Sequence, residues 1–159
     1  MSFSICLKIN KVQGESTVAN HLGEIDVLSW KWGLTQSATG QEGGARAGTA
    51  DVTDLTIMKY VDNASPTLIQ ACFNGDDQVQ AVLTVMKGTA ANPLEFLKIT
   101  MSKTVIISSV RPGDPLPNDK YSETVTFNFA HVKFEYTPLK PDNSKGATAT
   151  AEFDISRQA

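Results

Sequence analysis

The chain is poor in the residues that most catalytic and metal sites need. It holds two histidines and two cysteines, and neither cysteine lies in a CxxC motif. His21 and His131 stand far apart and outside any tight cluster of His, Cys and Asp, so we expect surface or capping roles for both. The serines form no GxSxG or SxxK motif. The sequence therefore predicts no enzyme, no metal site and no cofactor.

Long hydrophobic runs and charge are also scarce. No segment approaches the roughly 20 apolar residues that span a bilayer, and residues 1–12 do not resemble a cleaved leader. The net charge of −3 argues against nucleic acid and acidic membranes as partners. We expect a protein made in the cytoplasm, with Cys6 and Cys72 as reduced, buried thiols. The length of 159 residues predicts a single domain over 1–159.

The hydrophobic pattern that is present has mostly a period of two, which predicts a mainly β protein. We expect strands near residues 5–9, 24–32, 51–61, 79–85, 97–110, 123–137 and 147–155. Residues 35–50, rich in glycine and small polar residues, are predicted to be a long loop without structure of its own. Residues 111–120, with three prolines, are predicted to be a surface loop.

One short helix is expected at residues 65–74. Ser65 is the predicted N-cap, and Pro66 suits the first helical position because its missing N–H would be unpaired there. Gly75 is the expected stop just beyond the C-terminus. A helix of this length cannot stand alone, so it should plug a barrel end or cover a sheet edge.

The strand at 24–32 carries apolar residues in two phases. Ile25 and Val27 alternate in one phase, whereas Trp30 and Trp32 fall in the other. We interpret this as a strand whose one face meets a second sheet and whose other face meets another subunit. The two tryptophans are either core residues or residues of a subunit interface.

The strand at 123–137 changes phase as well. Val125, Phe127 and Phe129 share one parity, while Val132 and Phe134 share the other. A strand keeps one face across such a change only if an extra residue is inserted. We therefore predict a β-bulge or a sharp bend near residues 130–131.

Several blocks of this sequence resemble one known family. The segment GES…H…IDVLSWKWG at 14–33 is the strongest, and DLTIMKYVD, SPTLIQAC and SETVTFNFAHVKFEYTP follow in order. Together they are similar to the Hcp (haemolysin-coregulated protein) family, the tube protein of bacterial type VI secretion. The resemblance implies a compact β-barrel of two antiparallel sheets with one short flanking α-helix and a long extended loop. It also implies a homo-hexamer whose rings stack into a secreted tube.

The resemblance further implies roles for individual residues. Lys31, which lies between the tryptophans, and Ser29 would face the ring lumen and contact small effectors. In the family the position of Lys31 is often a small polar residue, so a lysine here would make a cationic girdle that favours acidic cargo. Trp30 and Trp32 would be structural or interface aromatics. The ring-stacking loop would contain Gly40, Gln41, Glu42, Gly43, Gly44 and Arg46.

The implied partners are a contractile sheath, a tip (spike) protein and small effectors, with no nucleic acid and no membrane insertion. The protein would stay in the bacterial cytoplasm before firing and then be secreted without a cleaved signal peptide. We also expect no C-terminal effector domain after the last strand. Two other functions remain open from the sequence. One is a monomeric β-barrel that binds a small ligand, and the other is a hydrolase assembled from scattered Ser, His and Asp residues.

Overall fold

The fold is mainly β with one helix, as the alternation of apolar residues predicts. The computed structural model describes residues 3–39 and 46–155, and the side chains of residues 3–37 and 50–155. Its elements in chain order are β1 (Phe3–Ile9), β2 (Ile25–Val27), β3 (Ser29–Lys31), β4 (Leu34–Thr39), β5 (Arg46–Val52), β6 (Leu55–Tyr60), α1 (Ser65–Asn74), β7 (Ala81–Gly88), β8 (Pro93–Pro115), β9 (Tyr121–Tyr136) and β10 (Ala149–Asp154).

The larger of the two sheets is a nearly closed barrel. Its strands follow the order β2-β1-β7-β8-β9-β6-β3, with β10 added to β9, and every pairing is antiparallel. The edge strands β2 and β3 are separated in the chain by Leu28 alone. Because one residue joins the two edges, the chain itself draws the sheet round into a barrel. The smaller sheet is the hairpin of β4 and β5.

The core fills the inside of this barrel. Strands β1, β6, β7, β8 and β9 each contribute alternate apolar side chains, and the helix adds Leu68 and Ala71. Fully buried members include Leu7, Leu55, Leu83 and Phe127. The alternation of apolar residues in the sequence therefore has its expected physical cause, since every second side chain of a strand points into the core and is removed from water.

The interpretation of 24–32 as one strand with two buried faces is wrong. The segment bends at Leu28, whose N–H donates to the carbonyl of Met58 at 2.7 Å, and the strands on its two sides pair with different partners. Ile25 and Trp30 consequently pack against the same core. The bend absorbs the change of phase, so this segment does not require a second subunit to bury its apolar residues.

Two predicted loops are more regular than expected. Residues 35–50 include most of β4 and β5, which pair from Leu34–Val52 to Thr39–Arg46 with an irregularity after Gln36. Residues 111–115 continue β8 and stay paired with β9, with a register shift between Pro112 and Asp114, so the turn is confined to residues 116–120. The prolines are tolerated because this end of the hairpin is exposed.

The helix has the predicted bounds but a different start. Ala64 is the N-cap and makes no side-chain capping bond, whereas Ser65 is the first helical residue. The Ser65 hydroxyl instead accepts from the Asp62 N–H at 3.0 Å and donates to Glu123 Oε1 at 2.8 Å. Gly75 ends the helix with φ of 67°, as predicted. In the described residues no helix is long and apolar enough to cross a membrane.

The strand pairing is irregular where the strand at 123–137 changes phase, as predicted, but the predicted extra residue is not in that strand. Ser102 pairs with His131 and Val105 with Phe129, so three steps along β8 match two along β9. The extra residue therefore lies in β8, where Lys103 has φ of 68°. Strand β9 itself runs unbroken through the irregularity.

Candidate functional site

The central feature of the candidate site is the short strand β3. Trp30 and Trp32 pack against the core, and the Trp32 ring stacks on Phe134 with centroids 6.3 Å apart and planes at 22°. The Trp32 Nε1 is buried and has no hydrogen-bond partner among the described residues. Because successive side chains of a strand alternate, Ser29 and Lys31 point to the other side, where both are exposed.

Strand register places these two residues on a continuous outer face of β3, β6, β9 and β8. In one row Ser29 pairs with Met58, Met58 with Thr124, and Thr124 with Arg111. The next row runs from Lys31 through Thr56 and Thr126 to Ser109, and the Thr56 and Thr126 hydroxyls lie 3.4 Å apart. We call these two rows the hydroxyl face.

Sequence reasoning named only Ser29 and Lys31 of this face and missed its second cation. Arg111 stands at the start of the segment predicted to be a surface loop, with nothing nearby that marks it as functional. Its neighbour Val110 packs against the core, so the alternation of β8 turns Arg111 outward. Only the pairing of β8 with β9 reveals that Arg111 shares a surface with Lys31.

Of the residues expected to stack rings, the structure describes Arg46 and not the other five. Arg46 begins β5, where it pairs with Thr39. The other five residues, Gly40, Gln41, Glu42, Gly43 and Gly44, lie outside the described residues. Their role in stacking therefore stays a prediction.

The base of the hairpin of β4 and β5 borders an apolar groove of about 460 Å³. Its lining is almost entirely hydrophobic and consists of Trp32, Leu34, Ala50, Val132, Phe134, Ala151, Glu152 and Phe153. Leu34 is 57% exposed. An apolar surface of this kind is typical of contacts between protein chains.

The histidines hold structural elements together. His21 lies between two carboxylates, with Nδ1 at 2.9 Å from Glu24 Oε1 and Nε2 at 2.6 Å from Glu95 Oε1. The contact with Glu95 ties the segment before β2 to β8. His21 is buried and therefore has no surface role. Its contact with Glu24, three residues along the chain, resembles that of a capping residue.

The His131 ring on β9 contacts side chains of both neighbouring strands. Its Nδ1 lies 3.1 Å from Ser102 Oγ on β8, and its Nε2 lies 2.9 Å from Glu152 Oε1 on β10. Both ring nitrogens are thus engaged across the sheet. Among the described residues no cluster of three His, Cys, Asp or Glu side chains could hold a metal ion.

The two cysteines are free thiols, as expected, but only Cys6 is fully buried. Burial raises the pKa of the Cys6 thiol to about 11, so it stays un-ionised near neutral pH. Its sulfur lies 3.4 Å from the Ser16 hydroxyl. Cys6 therefore behaves as a small core residue and not as a nucleophile.

A family model described as type VI secretion system effector, Hcp, matches residues 6–136. Protein hcp1 of Pseudomonas aeruginosa is 42% identical over 146 residues, which cover 91% of this chain and 90% of that protein. The chain belongs to the Hcp family.

Solved structures of the family share its fold. Hcp1 from Salmonella typhimurium has a TM-score of 0.77 at 34% identity, covering 100% of this chain and 99% of that one. A type VI secretion effector from Yersinia pestis has a TM-score of 0.73 at 28% identity, covering 95% and 99%. A further structure, a type six secretion system protein, has a TM-score of 0.89 at 26% identity, covering 99% of each chain. The barrel with its single helix is thus the family's fold.

Proposed function

We propose that this Hcp-family protein is the structural subunit of a type VI secretion tube. Six copies form a ring, rings stack into the inner tube, and the tube is secreted with small effectors carried in its lumen. The match to the family over residues 6–136 is the observation that carries this proposal. Within the secretion system the tube contacts a contractile sheath and a spike protein. The role is structural and requires no catalysis.

The apolar groove supports association between copies. Trp32, Leu34 and Phe153 line it, and burying such side chains in a neighbour contributes about 25 cal/mol per Å² removed from water. A cyclic ring repeats the same contact in every copy and leaves no exposed groove unpaired. The groove thus gives each subunit a surface on which a neighbouring subunit can pack.

The alternative of a monomeric barrel that binds a small ligand finds less support. The interior of the barrel holds core side chains such as Leu7, Leu55 and Phe127, each 0% exposed. A ligand-binding barrel needs a cavity in that position. This packing favours assembly through outer surfaces over ligand binding within.

The mass of the purified protein tests the ring. Size-exclusion chromatography with light scattering should give the mass of six chains, and negative-stain images should show rings. A mass of one chain of 17.1 kDa at micromolar concentration would contradict the proposal and favour the monomeric alternative.

The hairpin of β4 and β5 is proposed to bridge stacked rings. Its two strands form a separate two-stranded sheet and pair from Leu34–Val52 to Thr39–Arg46. Deletion of residues 40–44 should leave rings intact and abolish tubes in electron micrographs. Loss of the rings themselves would show that the hairpin has a different role.

Lys31 and Ser29 are proposed to face the lumen, where ring symmetry repeats them. An exposed lysine in every copy would attract acidic cargo, and salt would screen that attraction. Lys31→Glu should release small acidic proteins that co-purify with the rings at low salt, while Lys31→Ser should do so partially. Retention that does not change with either variant or with salt would exclude a cationic girdle.

A further inference from the structure

The hydroxyl face contains a second cation that is distant from Lys31 in sequence. Arg111 lies on β8, and Lys31 lies on β3, with β9 and β6 between them. Three strand spacings across the sheet and two residues along the strands separate their backbones by about 16 Å. An extended peptide of about five residues spans that distance.

Both cations are available to a partner. Lys31 and Arg111 are exposed, and neither forms a salt bridge with any of the described residues. At one border of the face lies Asp54, whose carboxylate accepts from Ser108 at 3.0 Å and from Asn128 at 2.9 Å. Asp54 is therefore held by neutral donors at the border of the face.

The opposite border is acidic, because Glu15 and Asp26 line a cleft there beside Tyr60 and Lys120, and Asp62 in the same cleft is paired with Lys59. Asp114 pairs with Ser122 one row beyond the hydroxyl face, and the Lys120 ammonium lies over the Tyr60 ring at 4.6 Å from its centroid. The opposite charges of Asp114 and Lys120 offset each other. The positive charge of the surface thus remains with the two cations of the central rows, although the whole chain has a net charge of −3.

Between the two cations the face offers hydrogen bonds and one apolar contact. Thr56, Thr124 and Thr126 are partly exposed, and their hydroxyls can donate or accept. Met58 is 38% exposed and unbranched, so it can adapt to different apolar side chains. Cations at two points with an adaptable surface between them complement a chain that carries spaced carboxylates.

We propose that the hydroxyl face binds an acidic polypeptide segment, with Lys31 and Arg111 binding separate carboxylates and Met58 contacting an apolar side chain between them. The inference rests on the proposed function only for the position of this face in the ring lumen. A polypeptide fits better than a nucleic acid, because Trp30 and Trp32 are turned into the core and cannot stack on bases. The acidic net charge of the chain also disfavours a polyanionic backbone.

Fluorescence anisotropy with labelled poly-L-glutamate tests this assignment on the full chain. Lys31→Ser and Arg111→Ser should each weaken binding about threefold to fivefold, and the double variant should weaken it at least about tenfold. Arg111→Lys should restore most of the affinity, because it returns the charge. Raising the ionic strength should weaken binding by the wild type far more than binding by the double variant.

Lys8→Ser is the matched control, because Lys8 is exposed on β1 and its loss changes the net charge equally. It should leave binding unchanged. Wild-type affinity in Arg111→Ser, or equal weakening in Lys8→Ser, would overturn the inference. Oligothymidylate of equal charge that binds as tightly as polyglutamate would overturn the choice of a polypeptide. Light scattering on the same samples distinguishes the two proposals, since a single-chain mass contradicts the ring, whereas lost binding by intact rings contradicts only this inference.

Discussion

Replacing the buried Lys59 by methionine should destabilise the protein more than any surface substitution. The side chains of Lys59 and Glu123 are both 0% exposed, and Lys59 Nζ lies 2.5 Å from Glu123 Oε1. The same ammonium donates to the Tyr60 carbonyl at 2.8 Å and to Asp62 Oδ1 at 2.9 Å. Lys59→Met preserves most of the apolar volume but leaves Glu123 buried without its cation.

The magnitude follows from the cost of an uncompensated buried charge. Breaking such a pair by removing one partner costs about 3–5 kcal/mol. Glu123 would keep the bond from the Ser65 hydroxyl at 2.8 Å, which favours the lower part of that range. The free energy of unfolding of a domain is only about 5–15 kcal/mol, so Lys59→Met removes a large share of it. With a urea m-value of about 2 kcal/mol per M, the urea concentration at the midpoint of unfolding should fall by about 1.5–2 M.

Urea unfolding followed by tryptophan fluorescence measures this loss. Adding Glu123→Gln to Lys59→Met should recover much of the stability, because the buried charge then disappears together with its partner. Lys103→Met is the control, since Lys103 is half-exposed in its pair with Asp154 and should cost less than about 1 kcal/mol. Measurements at two protein concentrations separate folding from assembly. A loss below about 1 kcal/mol in Lys59→Met would refute the reasoning.

Three further predictions concern pH, thiol reactivity and backbone strain. Partial desolvation raises the pKa of Asp26 above 3.8, so the stability that depends on its neutral carboxyl is full below that value and is lost as the pH rises through the folded pKa. Asp26→Asn should therefore give a gain of well under about 1 kcal/mol near neutral pH, with none in acid, in urea melts at both pH values. Cys72 should react with Ellman's reagent in the native protein, whereas Cys6, fully buried, should react only after unfolding; rapid native reaction of both would contradict this. Val79 is β-branched with φ of 70°, so Val79→Asn should raise the urea midpoint by the equivalent of about 1 kcal/mol, and an unchanged midpoint would show that no strain is relieved.

The two changes of phase in the sequence show where local reasoning succeeds and where it fails. At residues 129–132 a shift of parity correctly located an irregular pairing, although the extra residue lies in β8 and not in β9, whose parity shifts. At residues 25–32 a similar shift led to the wrong interpretation. A bend at Leu28 and burial on two faces produce the same pattern of apolar residues. Only the partners of β2 and β3 distinguish them.

The predicted loops failed for a related reason. Residues 35–50 contain small residues without a clear alternation, so their pairing as β4 and β5 leaves no hydrophobic signal. Residues 111–115 contain prolines, which usually interrupt strands, yet they pair with β9 at the exposed end of a long hairpin. In both cases backbone hydrogen bonds form without a matching alternation of apolar residues, so the sequence pattern does not predict them.

The sequence alone determined the local features of this protein. Alternation predicted the strands and turned Lys31 away from Trp30 and Trp32, proline and glycine placed the ends of the helix, and the combined motifs identified the family. The tertiary structure decided which distant residues meet. It placed Arg111 on the same face as Lys31 and buried Lys59 against Glu123. Such pairings depend on strand order and register, which arise from hydrogen bonds between segments far apart in the chain and not from any local pattern of side chains.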